Sequence, residues 1–213
     1  MSVLLHDYWR STASWRVRIA LHLKGIAFTS AKVDLVAGDQ RRPAHLARNP
    51  QGLVPVLDID GLRLTQSLAI IGYLDDTRPE PPLLPADPAG RARVRAIAHA
   101  IAMDIHPVCN LGVAAHVVAL TDGGDAVRKG WMQHFIRKGL VAVETLLDHP
   151  ATGTCCHGDS VTLADLCLVP QLYNAARWQA DISDLPRIAA IATHLHDLPA
   201  FAAADADSVG PAG

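Results

Sequence analysis

Trp9-Arg10-Ser11-Thr12-Ala13-Ser14-Trp15-Arg16-Val17-Arg18-Ile19-Ala20-Leu21 follows directly on an apolar run from Val3 to Tyr8. The run reads as a strand, and Val17, Ala20 and Leu21 then share one face at helical spacing, so a strand enters this stretch and a helix leaves it. Ser11, Thr12 and Ser14 stand at the junction. There the first turn of a helix leaves backbone N–H groups unpaired at the positive end of its dipole, and such an end binds anions. Ser11 also has the chemistry of an N-cap. Arg10, Arg16 and Arg18 crowd the same end against the preference of the dipole. Negative groups must balance them, either a ligand or carboxylates of the fold.

Outward from this point, Gly25 stops the helix near Lys24, and Phe28 to Leu35 reads as a second strand. A helical crossover of that length makes the two strands parallel. Residues 36 to 49 are polar and irregular, with a short helix expected around Ala44 to Ala47. Val54 to Ile59 and Leu62 to Thr65 flank Asp60-Gly61, a hairpin signal because a type I′ turn needs positive φ at both central residues. Ser67 is expected to cap the next helix, which carries Leu68, Ile71 and Leu74 and ends before Pro79. Prolines 79, 81, 82, 85 and 88 cannot continue a helix, so residues 81–87 read as a linker between a first domain, 1–80, and a second, 88–213.

The second domain reads as all helical. Asp87 is a good N-cap with Pro88 at the first helical position, and the pattern runs on towards Leu120 except where Pro107 must kink or break it. A further helix spans about Ala126 to Leu147. Thr162 and Asp165 have capping-box spacing, with Val161 placed to staple Leu166, and Pro170 inside that helix predicts a kink.

A half-apolar chain of 213 residues with net charge −2 and few aromatic residues lacks the basic, stacking face that nucleic acid requires. There is no basic segment followed by an apolar signal region, and the longer apolar runs are interrupted short of a membrane span, so the expected location is the cytoplasm. Cys109, Cys155, Cys156 and Cys167 are too few and too irregular for a disulfide framework or a zinc site and are expected as thiols. Cys155-Cys156, in a loop, is the candidate for reactivity. His99 and His106 share a helical face without a ligating carboxylate at metal spacing, and no metal is expected.

A parallel strand-helix-strand, a hairpin and a helix form the thioredoxin-like arrangement, yet the paired cysteines of its redox members are missing at the first helix start, which excludes dithiol chemistry. The same unit followed by a Pro-rich linker and a helical domain resembles the cytosolic glutathione transferases, with Val54-Pro55, Gln66-Ser67 and Gly158-Asp159 through Asp165 as shared motifs. Arg10 through Leu21 looks like the signature of their zeta class, which includes maleylacetoacetate and maleylpyruvate isomerases. The likeness extends through Gln66 to Ile71, Leu83-Leu84-Pro85, Ala164 to Gln171 and Asn174 to Arg177. One departure stands at Ser11-Thr12-Ala13, where the family usually writes Ser-Ser-Cys.

The resemblance implies glutathione as cofactor and a cis Pro55 that presents Val54 to the tripeptide backbone. Gln66 and Ser67 would hold the γ-glutamyl end, with Thr12, Gln51, His106 and Asn110 also facing glutathione. Ser11 would donate to the thiolate, while Arg10 and Arg177 would each clamp a carboxylate of a dicarboxylic substrate. The implied activity is cis-trans isomerisation of maleylacetoacetate-like compounds in aromatic catabolism, by a two-fold homodimer. Leu111-Gly112 favours this substrate over maleylpyruvate, whose isomerases carry basic residues there. Dehalogenation of α-halo acids and glutathione binding without turnover are the other readings.

Overall fold

The computed structural model describes residues 2–210 and divides into two compact units, one running to Leu83 and resumed from Asp197, the other Leu84–His196. In the first unit β1 (Leu4–Asp7) leads into α1 (Thr12–Leu23) and β2 (Thr29–Lys32). After α2 (Pro43–Leu46) come β3 (Val56–Ile59), β4 (Leu62–Thr65) and α3 (Ser67–Thr77). The sheet order is β2-β1-β3-β4, with β1 parallel to β2 and antiparallel to β3, and β3 antiparallel to β4. This is the thioredoxin-like order expected from the sequence. The hairpin turns at Asp60 and Gly61, whose φ values of 54° and 79° are those a type I′ turn demands. Gly25, at φ 63°, ends α1, and the Ile26 N–H returns to the Leu21 carbonyl.

Every residue of α1 from Thr12 to Leu21 is buried, arginines included. A helix covered on one face would expose Arg16 and Arg18, but α3 packs on α1 and so does the C-terminal segment, α10 (Pro199–Ala204), which α11 (Ala206–Val209) follows. The linker reading 81–87 contains the division between Leu83 and Leu84, whereas assignment of all of 88–213 to the helical domain is corrected: from Asp197 onward the chain belongs to the first unit. Nothing in local periodicity announces this return, because it rests on a long-range contact. Arg18 makes it specific, donating from Nη1 to both Asp7 carboxylate oxygens (2.9 and 2.8 Å), from Nη2 to the Trp9 carbonyl (2.9 Å) and from Nε to the Ala204 carbonyl (3.0 Å). A carboxylate of the fold, not a ligand, therefore balances this arginine.

The second unit is helical throughout its named elements: α4 (Pro88–His99), α5 (His106–Val108), α6 (Leu111–Thr121), α7 (Gly124–Leu146), α8 (Leu163–Trp178) and α9 (Pro186–His196). Asp87 caps α4 by accepting the Gly90 N–H at 2.7 Å. Between α4 and α5 the backbone widens into a π turn, Ala100–Ile105, just before Pro107. Proline removes one N–H and crowds the carbonyl four residues earlier, and a π turn accommodates both. The glycine at 139 lets α7 approach it, since a Cβ there would collide with Ile105. Within Pro88–Thr121 an 18-residue window reaches a mean hydropathy of 1.3, apolar enough for a membrane span, but the π turn and the break at Cys109-Asn110 divide the run into short helices. Asp165, fully buried at the start of α8, accepts the Thr162 N–H and hydroxyl and the Cys156 N–H, as its capping-box spacing led one to expect. Pro170 removes one bond, and α8 nevertheless continues to Trp178.

Removing one partner of a buried ion pair leaves an uncompensated charge, so Arg18→Met should destabilise the protein by about 3–5 kcal/mol in urea unfolding. A loss below about 1 kcal/mol would contradict the structural role given to this arginine.

Candidate active site

The turn from β1 into α1 is closed by the Ser11 N–H donating to the Tyr8 carbonyl at 2.8 Å. Ser11 is the N-cap: its backbone is extended, and its Oγ accepts the Ser14 N–H at 3.2 Å. Accepting there leaves the hydroxyl hydrogen to be donated, and the residue is only half-buried. Thr12 and Ala13 follow as buried residues of the first turn, with Thr12 6% exposed against the more open Ser11. Arg10 is half-buried beside them, its Nη2 donating to the Tyr8 hydroxyl at 3.1 Å and its guanidinium 4.5 Å from the centroid of the Trp9 ring. Sequence reasoning named Arg10 but missed Tyr8 and Trp9. Their position beside it in the chain was the available signal.

A second helix start in the same unit, that of α3, also bears on the site. Here one expectation is corrected: Gln66, not Ser67, is the N-cap, since its carbonyl accepts the Ile70 N–H, and Ser67 is the first helical residue. Gln66 stands at φ 67° and ψ 113°, a conformation side-chain-bearing residues rarely adopt, and no side chain caps the helix. The first N–H groups of α3 are thus left to an external acceptor. Buried Arg16 donates from Nη1 to the Ser67 hydroxyl at 3.4 Å, adding positive charge behind this end. The Gln66 amide donates to Gln51 Oε1 at 2.8 Å, so two exposed candidates from separate segments meet. Val54-Pro55 is cis, and Val54 packs with Tyr8 and Val33. A donor set of hydroxyls, amides and uncapped N–H groups fits a peptide carrying a carboxylate and a thiol.

In the second unit His106 opens α5 directly after the π turn, and Asn110 caps α6 through the Gly112 N–H at 2.8 Å. Arg177 is exposed in the last turn of α8, its guanidinium 5.2 Å from the Trp178 ring centroid.

The description "Glutathione S-transferase, N-terminal domain" matches residues 10–77. The maleylacetoacetate isomerase of Rhizobium meliloti strain 1021 is 61% identical over 208 residues, covering 98% of each chain. The chain belongs to the maleylacetoacetate isomerase family of zeta-class glutathione transferases. Among solved structures of this family, a bacterial zeta-class maleyl pyruvate isomerase in its holo form superposes with a TM-score of 0.94 at 40% identity, covering 96% of this chain and 97% of its own. The maleylacetoacetate isomerase of Methylobacterium extorquens AM1, solved with malonate and glutathione, gives 0.94 at 40% identity, with 98% and 100% covered. Like them, this isomerase-family chain is a glutathione-dependent enzyme.

The loop position of Cys155-Cys156 left its reactivity open, and the structure packs the pair away. Both are fully buried; burial, with the Asp165 carboxylate as a further cause, pushes the Cys155 thiol up to about 12 and Cys156 well above the ordinary range. Burial also raises Cys109 to about 11. A raised thiol pKa keeps the unreactive protonated form at neutral pH. Iodoacetamide at pH 8 should therefore leave these three thiols of the native protein unmodified in peptide mass spectra and alkylate them once the chain is unfolded. Rapid native labelling of Cys155 or Cys156 would contradict the burial.

Proposed function

We propose that the protein isomerises the cis double bond of maleylacetoacetate, in the catabolism of aromatic compounds, with Ser11 as the donor that favours the thiolate. Bound glutathione supplies a thiolate whose reversible addition removes the double-bond character that blocks rotation. The observation that carries this reading is Ser11 itself: a half-buried hydroxyl at the N-terminus of α1, its acceptor side occupied by the Ser14 N–H and its hydrogen left to donate. A hydroxyl donor at the positive end of a helix lowers the pKa of a thiol beside it. The Cys that the family usually carries is then dispensable, since Ala13 is no nucleophile and the cofactor brings its own.

Val54, Pro55, Gln51, Gln66, Ser67 and Thr12 are the residues proposed to hold glutathione, with the uncapped start of α3 and the Arg16 charge behind Ser67 receiving its γ-glutamyl carboxylate. His106 and Asn110 are proposed for the same cofactor. Arg10 and Arg177 are assigned one substrate carboxylate each, a role that suits the planar guanidinium fork. Malonate, bound with glutathione in the Methylobacterium relative, supports a dicarboxylate as the substrate class. Maleylpyruvate is the second reading, favoured by the likeness to the holo isomerase of that substrate. A cytoplasmic location, where thiols stay reduced, and a two-fold homodimer complete the proposal.

Ser11→Ala should lower kcat by about 100-fold, the cost of removing one donor to a developing or bound anion, while Thr12→Ala costs far less. Full turnover in Ser11→Ala with an inactive Thr12→Ala would move the donor role by one residue. Arg177→Lys keeps the charge and loses the fork, and its effect separates clamping from general electrostatics. It should cost a dicarboxylic substrate about 1.5–3 kcal/mol more than an α-halo acid with a single carboxylate, read from kcat/KM. Equal losses on both would refute the assignment.

A further inference from the structure

Arg10 is framed more tightly than a surface cation requires. One Nη2 hydrogen goes to the Tyr8 hydroxyl at 3.1 Å, the guanidinium carbon lies 4.5 Å from the Trp9 ring centroid and 5.9 Å from that of Tyr8, and Nε is buried without an acceptor in the described chain. The two rings stand 6.2 Å apart at 53° to each other, so the guanidinium rests against one face and is pinned at its end by the other residue. Tyr8 is itself packed in place. It is 7% exposed, packed with Val33 and Val54, and its carbonyl accepts the Ser11 N–H. One residue thus links, by its ring, the residue proposed to present glutathione, by its backbone carbonyl the turn that sets the Ser11 backbone, and by its hydroxyl the arginine.

We infer that Tyr8 is a positioning residue for Arg10: its hydroxyl and the Trp9 indole fix the plane in which the guanidinium meets a substrate carboxylate. The inference rests on the carboxylate role given to Arg10 above. A planar fork that is already oriented loses less rotational freedom on binding. Tyr8→Phe removes only the pinning hydroxyl, because the ring packing and the backbone bond to Ser11 are kept.

The test is a double-substitution cycle on the full chain, read by calorimetric binding of malonate in the presence of saturating glutathione and by the KM for the cis dicarboxylate. Tyr8→Phe should weaken malonate and raise that KM by about fivefold, with the Kd for glutathione unchanged within about twofold. In an Arg10→Lys background, already weakened, the same change should have almost no further effect, since the hydroxyl acts through the arginine. Trp9→Leu should follow the same pattern, which guards against an effect peculiar to the Tyr8 ring. Equal effects of Tyr8→Phe in both backgrounds, no effect in either, or a loss of glutathione binding instead would overturn the inference. An Arg10→Lys chain that binds malonate like the parent would take Arg10 out of the substrate site altogether. That outcome sinks the underlying reading and is distinguishable from failure of the Tyr8 inference alone.

Discussion

A buried guanidinium with acceptors from three residues around it decides how the first unit is built. Arg18 sits in the middle of α1, 1% exposed, and reaches the end of β1 at Asp7, the Trp9 carbonyl beyond it and the Ala204 carbonyl of the returning C-terminal segment. Such a charge is tolerable inside a protein only when its donors are met, and here four bonds meet them. The consequence is geometric. Strand, turn and helix are fixed to one another around the stretch that carries Arg10 and Ser11, while α3 and α10 cover the flanks of α1. Its N-terminus presents the half-buried Ser11 beside buried Thr12 and Ala13.

Local chemistry made much of this legible in the amino-acid sequence. Asp60-Gly61 demanded its turn, Asp87-Pro88 its helix start, Thr162 and Asp165 their capping box, and Pro107 an interruption. Each is decided by a few neighbouring residues, so a short window suffices. What escaped depends on distant partners. Three arginines in one stretch could face a ligand or the fold, and only the placement of Asp7, Trp9 and Ala204 separates Arg18 from Arg10. The return of the segment from Asp197 to the first unit is invisible for the same reason.

One local feature of the candidate site was misread from the sequence: the cap of α3. Ser67 has the chemistry of a cap, and a capping rule selects it over Gln66, but the hydroxyl instead meets Arg16 and the helix begins one residue earlier. Gln66 is held at positive φ at the place where its amide meets Gln51, a cost in backbone energy that folding stability alone would not favour. The cysteine pair looked accessible because it lies outside any helix, yet Arg93 and Asp165 hold its loop by the Cys156 carbonyl and N–H, and the thiols are packed away. Nucleophilic chemistry therefore has no thiol of the chain to draw on in the native state.

In the proposed reaction the nucleophile is borrowed from glutathione and returned unchanged. The direct measurement follows conversion of maleylacetoacetate to its trans isomer while free thiol is titrated over many turnovers, with glutathione present and absent. A borrowed nucleophile predicts conversion only with glutathione and a thiol titre that stays constant throughout. Conversion at the same rate without glutathione, or one thiol consumed for each substrate converted, would contradict it.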